Sequence, residues 1–173
     1  MTPERLARAA ALIAACRARG LTLATAESCT GGLVAALLTE IAGSSQVVDR
    51  GFVTYSDAAK TDLLGVPADL IAAEGAVSAP VARAMAEGAR ARSGVALAVA
   101  VTGIAGPGGA TATKPVGLVH FGLAAAGRPT VHRRREFGDL GRAAVRWQAV
   151  DEALALLEEV ALASPERAGA APS

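Results

Sequence analysis

Ser28 and Cys29 are the two side chains of this chain whose setting invites nucleophilic chemistry. They stand in TAESCTGG, residues 25–32, where a short apolar run gives way to Gly31, Gly32 and an apolar helical pattern. A nucleophile at a strand-to-helix turn lies close to N–H groups that no helical carbonyl accepts, and such groups favour negative charge and can hold an oxyanion. The two glycines remove side-chain bulk, so a ligand can approach the backbone. A plainer reading is that Ser28 or Thr30 only caps the helix, and the segment alone does not choose. It is not G-x-S-x-G, so the hydrolase elbow pattern is absent.

A serine nucleophile needs a base. His120 and His132 both fall inside strand patterns and read as structural. A lysine serves if burial lowers its pKa from ~10.4 toward neutrality, whereas an arginine cannot. The chain has only two lysines, Lys60 and Lys114, among 17 basic residues, so a lysine placed just after a strand is a candidate base; a solvated helix residue is the alternative. A third segment, TGIAGPGGATATKPVG, residues 102–117, follows a wholly apolar run. Its glycines and Pro107 fit a rigid loop whose N–H groups converge on an anion, with Thr102, Thr111, Thr113 and Lys114 as further donors. Neither G-x-x-x-x-G-K-[ST] nor G-x-G-x-x-G occurs in it.

The elements that must position these residues follow from pattern. Thr2 and Pro3 open a first helix that presents Leu6, Ala10, Ile13 and Cys16 on one face, so Cys16 should be a core residue; Gly20 stops it. Thr22 to Ala26 reads as a strand, Gly31 to Ala42 as a helix, and Val47 to Tyr55 as a second strand. Ser56 caps a helix over Asp57 to Leu64, which Gly65 ends. Ser78 and Pro80 open a longer helix ending near Gly94. Val95 to Val101 lacks alternation, as in a strand covered on both faces. Val116 to Ala125 and Thr130 to Phe137 are further strands, and Arg142 to Leu162 is a last helix. The fold class is α/β: a three-layer α/β/α sandwich on a mixed, mostly parallel sheet of about five strands. In such sheets ligands bind beyond the carboxyl ends of the strands, so one pocket built from Glu27–Gly32, Tyr55–Lys60 and Thr102–Lys114 is expected.

Composition narrows the classes. Only 3% of residues are aromatic, so the core must be built of small aliphatic side chains. A formal charge of +1 creates no field for nucleic acid or anionic lipid, and Arg133–Arg135 is read as a solvated strand face. Cys16 and Cys29 fit neither a disulfide framework nor a zinc site and suit a reducing compartment. The amphipathic N-terminus shows no signal peptide, and no run approaches the ~18 apolar residues of a membrane span. A single domain over residues 1–163 in a cytoplasmic protein is expected, with a disordered tail, ASPERAGAAPS, at the end.

Taken together, AESCTGG, GFVTYSDAAKTDLLGV, GAVSAPVARAMAEGAR and VAVTGIAGPGGATATKPVGLVHF resemble, in order and spacing, the CinA C-terminal domain family, from about Leu6 to Leu157. Members of that family are nicotinamide mononucleotide amidohydrolases, and the resemblance implies hydrolysis of the carboxamide to nicotinate mononucleotide and ammonia on an α/β/α fold. It implies the stand-alone form, without the additional N-terminal domain of longer members. By it, Ser28 matches the nucleophile, Lys60 its paired lysine and Tyr55 a tyrosine of the same pocket. Cys29 is then a small buried side chain. Thr30, Gly31, Gly32, Thr102, Gly103, Ala105 and Gly106 would bind substrate, and an arginine early in the last helix would reach the phosphate. Arg142 is favoured over Arg146, although FGDLGRAAVR separates Gly138-Asp139 from Arg142 by two residues where the family tends to have Gly-Asp-Arg. Asp57 stands where asparagine is common. No metal and no cofactor are expected, and a homodimer or higher homo-oligomer is. Two other readings stay open: a non-catalytic nucleotide-binding module using the same loops, and a thiol hydrolase using Cys29.

Overall fold

A computed structural model describes residues 1–163 of the chain. The expected tail therefore lies outside the described residues, apart from Ala163. The order of elements is α1 (Pro3–Ala18), β1 (Leu23–Glu27), α2 (Leu33–Thr39), a 3-10 turn (Ser44–Gln46), β2 (Val48–Val53), α3 (Asp57–Leu64), α4 (Ala68–Glu74), α5 (Ala79–Ser93), β3 (Leu97–Gly103), β4 (Leu118–Ala125), β5 (Val131–Glu136) and α6 (Arg142–Ala161). The strands form one sheet in the order β2-β1-β3-β4-β5. β1 pairs in parallel with β2 and β3, while β4 pairs antiparallel with β3 and β5. The sheet is thus mixed, and only β4 runs against the rest.

The two faces of the sheet differ in side-chain size, and this sets the layers. On one face Leu23, Val99, Val101, Phe121 and Leu123 pack against α1, α2 and α6. The other face is a band of small residues, with Ala24, Ala98 and Ala124 in one cross-strand row and Ala26, Ala100 and Gly122 in another. There α5 lies so near the strands that a Cβ on Gly122 would sit 2.2 Å from the Ala82 carbonyl oxygen. The alanine content therefore buys close helix–sheet approach rather than filling a generic core. Helices α3 and α4 complete that layer through Leu64 and Ile71.

Local chemistry explains most boundaries. Thr2 Oγ1 accepts from the Arg5 amide and Pro3 holds the first helical position. The stripe that α1 buries is Ala9, Leu12, Ile13 and Cys16; Ala10 faces solvent, one step off the expected face. Ser56 Oγ accepts from the Ala59 amide and Gly65 closes α3 in a left-handed conformation, as read. Helix α2 begins two residues later than expected, because Gly31 (φ +59°) and Gly32 (φ +95°) are left-handed and cannot be helical turns. It also stops early, and the 3-10 turn follows. Helix α4, between Pro67 and Gly75, has no counterpart in the sequence reading. β4 begins only at Leu118, since a Cβ on Gly117 would lie 2.2 Å from the Gly138 carbonyl oxygen and the chain turns there. Arg134 and Arg135 face solvent, as read, but Arg133 and Arg135 also do more than that. They bond Glu152 and Glu159 and fasten β5 to α6.

Candidate active site

Because β1, β2 and β3 run in parallel, Glu27, Val53 and Val101 lie side by side at the carboxyl edge of the sheet. The chain leaves that edge three times, and the exits surround a cavity of about 300 Å3. Its walls include Ser28, Cys29, Tyr55, Gly103, Ala105, Gly106 and Arg142. Lys60 projects from α3 beneath it and is 1% exposed. Its Nζ donates to Ser28 Oγ (3.4 Å), to the Thr54 carbonyl (3.1 Å) and to the Ser56 carbonyl (3.4 Å). Burial pushes the Lys60 pKa below that of an ordinary lysine, while the Asp57 carboxyl, 3.6 Å away and 63% exposed, pulls it partly back. A lysine with a lowered pKa next to a hydroxyl is a base next to a nucleophile.

The Ser28 turn is held from three sides. The Ser28 amide donates to the Val101 carbonyl (2.9 Å), and the Thr54 amide donates to the Glu27 carbonyl (2.8 Å). Glu27 itself is 1% exposed. Its carboxyl oxygens accept from the amides of Gly32 (3.0 Å), Val34 (3.0 Å) and Ala35 (2.8 Å), and from Thr25 Oγ1 (3.1 Å). The start of α2 was expected to offer free N–H groups to a ligand. Glu27 takes them instead, because Gly32 at the cap position carries no side chain to do so. The Gly31 amide is likewise spent on the Ser28 carbonyl (3.0 Å). Of the amides in this turn, those of Cys29 and Thr30 have no oxygen acceptor among the described residues, and of these two residues only Cys29 lines the cavity.

The opposite wall is the loop after β3. Gly103 and Gly106 are required by packing, since a Cβ on Gly103 would meet the Leu118 carbonyl at 2.8 Å and one on Gly106 would meet Val116 at 2.8 Å. Among the described residues no carbonyl accepts from the amides of Ala105, Gly106, Gly108 or Gly109, and the Gly106–Pro107 bond is cis. Arg142, from the start of α6, donates to the Gly106 carbonyl (3.0 Å) and to the Tyr55 hydroxyl (2.6 Å). It is the one cation among the lining residues, and no acid lines the cavity.

The structure therefore brings Ser28, Lys60, Tyr55, Gly103, Ala105, Gly106 and Arg142 together, and leaves others outside. Thr30 is fully buried. A Cβ on Gly31 would face Arg146 and one on Gly32 would face Val53, so these glycines make room for protein rather than for a ligand. Thr102 donates to the Ala76 carbonyl (2.8 Å). Tyr55 is 58% exposed at the cavity mouth, bonded to Arg142 and not to the Ser28–Lys60 pair. Arg146 does not line the cavity; it donates to the carbonyls of Cys29 (3.1 Å) and Thr30 (2.7 Å). Cys29 is 5% exposed, and burial pushes its thiol up to about 12, which leaves essentially no thiolate at neutral pH. His120 and His132 bond one another (2.9 Å) away from the cavity lining. Lys114 donates to the Glu74 carbonyl (2.7 Å) at the end of α4. Sequence reasoning missed Glu27 and the clamp made by Arg146. An acid at the end of a strand, shortly before a Gly-Gly turn into a helix with no capping side chain of its own, was the available signal for the first.

No described helix is long and apolar enough to cross a membrane. Residues 6–161 match the model of the CinA C-terminal domain. A CinA-like protein of Anaeromyxobacter dehalogenans is 55% identical over 146 residues, which are 84% of this chain and 35% of that protein. The chain thus spans about a quarter to a third of the length of the curated relatives it matches. Among solved structures, the competence/damage inducible protein CihA of Agrobacterium tumefaciens aligns with a TM-score of 0.89 at 50% identity, over 91% of this chain and 95% of that one. A CinA superfamily protein of Escherichia coli aligns with a TM-score of 0.86 at 33% identity, over 94% of each chain. By its sequence and its fold, the chain belongs to the CinA C-terminal domain family.

Proposed function

We propose that this protein is an amidohydrolase that cleaves the carboxamide of nicotinamide mononucleotide, giving nicotinate mononucleotide and ammonia. The observation that carries the reading is the buried Lys60 Nζ within 3.4 Å of Ser28 Oγ, at the floor of a cavity whose only charged lining group is Arg142. Neutral Lys60 accepts the Ser28 proton as Oγ attacks the carboxamide carbon. The amide of Cys29, the turn residue that lines the cavity beside Ser28, is the donor left to hold the oxyanion. The C–N bond breaks as Lys60 returns its proton to the leaving nitrogen, and ammonia departs. Water, deprotonated by the same lysine, then hydrolyses the nicotinoyl ester and restores the Ser28 hydroxyl. Arg142 and the free amides of the loop complement a phosphate monoester. A cavity of about 300 Å3 is at the small end of ligand sites and suits a mononucleotide better than a dinucleotide. A cytoplasmic homodimer or higher homo-oligomer belongs to the same proposal.

The test is product stoichiometry. Purified protein given nicotinamide mononucleotide should release ammonia and nicotinate mononucleotide in equal amounts. Calorimetric binding without either product would replace the enzyme by a nucleotide-binding module.

A further inference from the structure

Resting on the Ser28 amidohydrolase reading, we infer that Arg146 is a positioning residue that fixes the nucleophile turn and polarises its oxyanion donor, the Cys29 amide, without touching substrate. Its two contacts are to main-chain oxygens of the nucleophile turn, Nε to Cys29 O (3.1 Å) and Nη2 to Thr30 O (2.7 Å). Through the turn they reach the Cys29 amide, which has no oxygen acceptor and whose residue lines the cavity. The Cys29 carbonyl belongs to the peptide whose N–H is that of buried Thr30, so this contact fixes the turn. The Thr30 carbonyl belongs to the peptide whose N–H is that of Gly31. The Gly31 amide in turn donates to the Ser28 carbonyl (3.0 Å), which belongs to the peptide whose N–H is that of Cys29. Hydrogen bonds in series reinforce one another, and charge-assisted ones are about twice as strong as neutral ones.

Three further features fit this role. Gly31 is left-handed (φ +59°), and a Cβ there would stand 3.4 Å from Arg146 Nη2; glycine both permits the turn and gives the guanidinium access. Glu27 consumes the amides of Gly32, Val34 and Ala35, so the helix start cannot compete for the developing charge. A planar fork is also what two adjacent carbonyls require, and an ammonium cannot match it.

The test compares Arg146→Ala and Arg146→Lys with Arg142→Ala. Two readouts are used: steady-state ammonia release from nicotinamide mononucleotide, and the rate at which phenylmethanesulfonyl fluoride sulfonylates Ser28, followed by intact mass. Arg146→Ala should lose about 100-fold in kcat with KM held within about twofold, the pattern of a lost oxyanion donor. Millimolar guanidinium should restore part of the loss, Arg146→Lys should recover little, and sulfonylation should slow in parallel. Arg142→Ala should instead raise KM. A rise in KM with unchanged kcat in Arg146→Ala would make Arg146 a substrate ligand and overturn the inference. A lower Tm with unchanged kcat and sulfonylation would reduce it to scaffolding. If Arg146→Ala does not fold, Arg146→Lys carries the same comparison. Wild-type protein that is sulfonylated at Ser28 but releases no ammonia would refute the substrate and leave Arg146 judged on sulfonylation; protein inert in both would refute the inference together with its nucleophile.

Discussion

The two walls of the cavity are built on opposite principles. The wall after β1 is held by charge: Glu27, Arg146 and Lys60 occupy nearly every main-chain group around Ser28. The wall after β3 is held by packing: Gly103 and Gly106 fit against β4 and Val116, and its amides are left open. Reactivity needs a nucleophile and base fixed to a fraction of an ångström, which buried ionic contacts provide at a cost in desolvation. Recognition of a phosphate needs donors whose partner is the ligand itself. Apart from the Cys29 amide, one wall is therefore satisfied before substrate arrives, and the other is not.

Replacing Lys60 should separate these roles most sharply. Lys60→Met should lower turnover by about 10²–10⁴-fold, the worth of a general base, and leave nucleotide affinity within reach of wild type. It should also change how stability depends on pH. The folded protein holds Lys60 below its ordinary pKa, so between that lowered value and ~10.4 the unfolded chain binds more protons and stability rises with pH. A thermal melt series in that window should show the rise in wild type, and less of it in Lys60→Met. On the other wall, Arg142→Ala should raise KM about 10–100-fold, as expected for a hydrogen bond to a charged group worth about 1.5–3 kcal/mol, with kcat little changed.

Smaller effects sharpen the contrast. Glu27→Gln leaves buried amides at the start of α2 short of an acceptor, at about 1–3 kcal/mol. The melting temperature should fall by several degrees, at about 2–4 °C per kcal/mol for a chain of this size. Gly108→Ala, where a Cβ meets nothing within 4 Å, should leave it unmoved. The smallest effect belongs to Asp57. Its carboxyl raises the Lys60 pKa, so Asp57→Asn should move the ascending limb of the pH–rate profile to lower pH and increase the rate at neutrality. A limb displaced upward would contradict Lys60 as the base.

The sheet and the three exits at its carboxyl edge were legible because periodicity and glycine punctuation encode them locally. Val95–Val101 announces a buried strand, Ser56 and Gly65 delimit α3, and the parallel order places Ser28 near Lys60. Relations that depend on distant main-chain atoms were not. Glu27 looks like the end of a strand until the amides of α2 arrive above it. Arg146 is 117 residues from the carbonyl it clamps and carries no pattern of its own. Tyr55 lines the expected pocket, but β2 ends at Val53 and the Tyr55 hydroxyl meets Arg142 at the rim rather than the Ser28–Lys60 pair. Helix α4 escaped notice because seven residues are too few for a periodic signal.

Ammonia release from nicotinamide mononucleotide by wild type and by Ser28→Ala, with folding of both verified by melting, tests the central claim most directly. Steady release by wild type, with loss of at least three orders of magnitude in a normally folded Ser28→Ala, on the scale of a lost nucleophile, is the predicted result. Turnover that survives in Ser28→Ala would contradict a covalent mechanism at this turn.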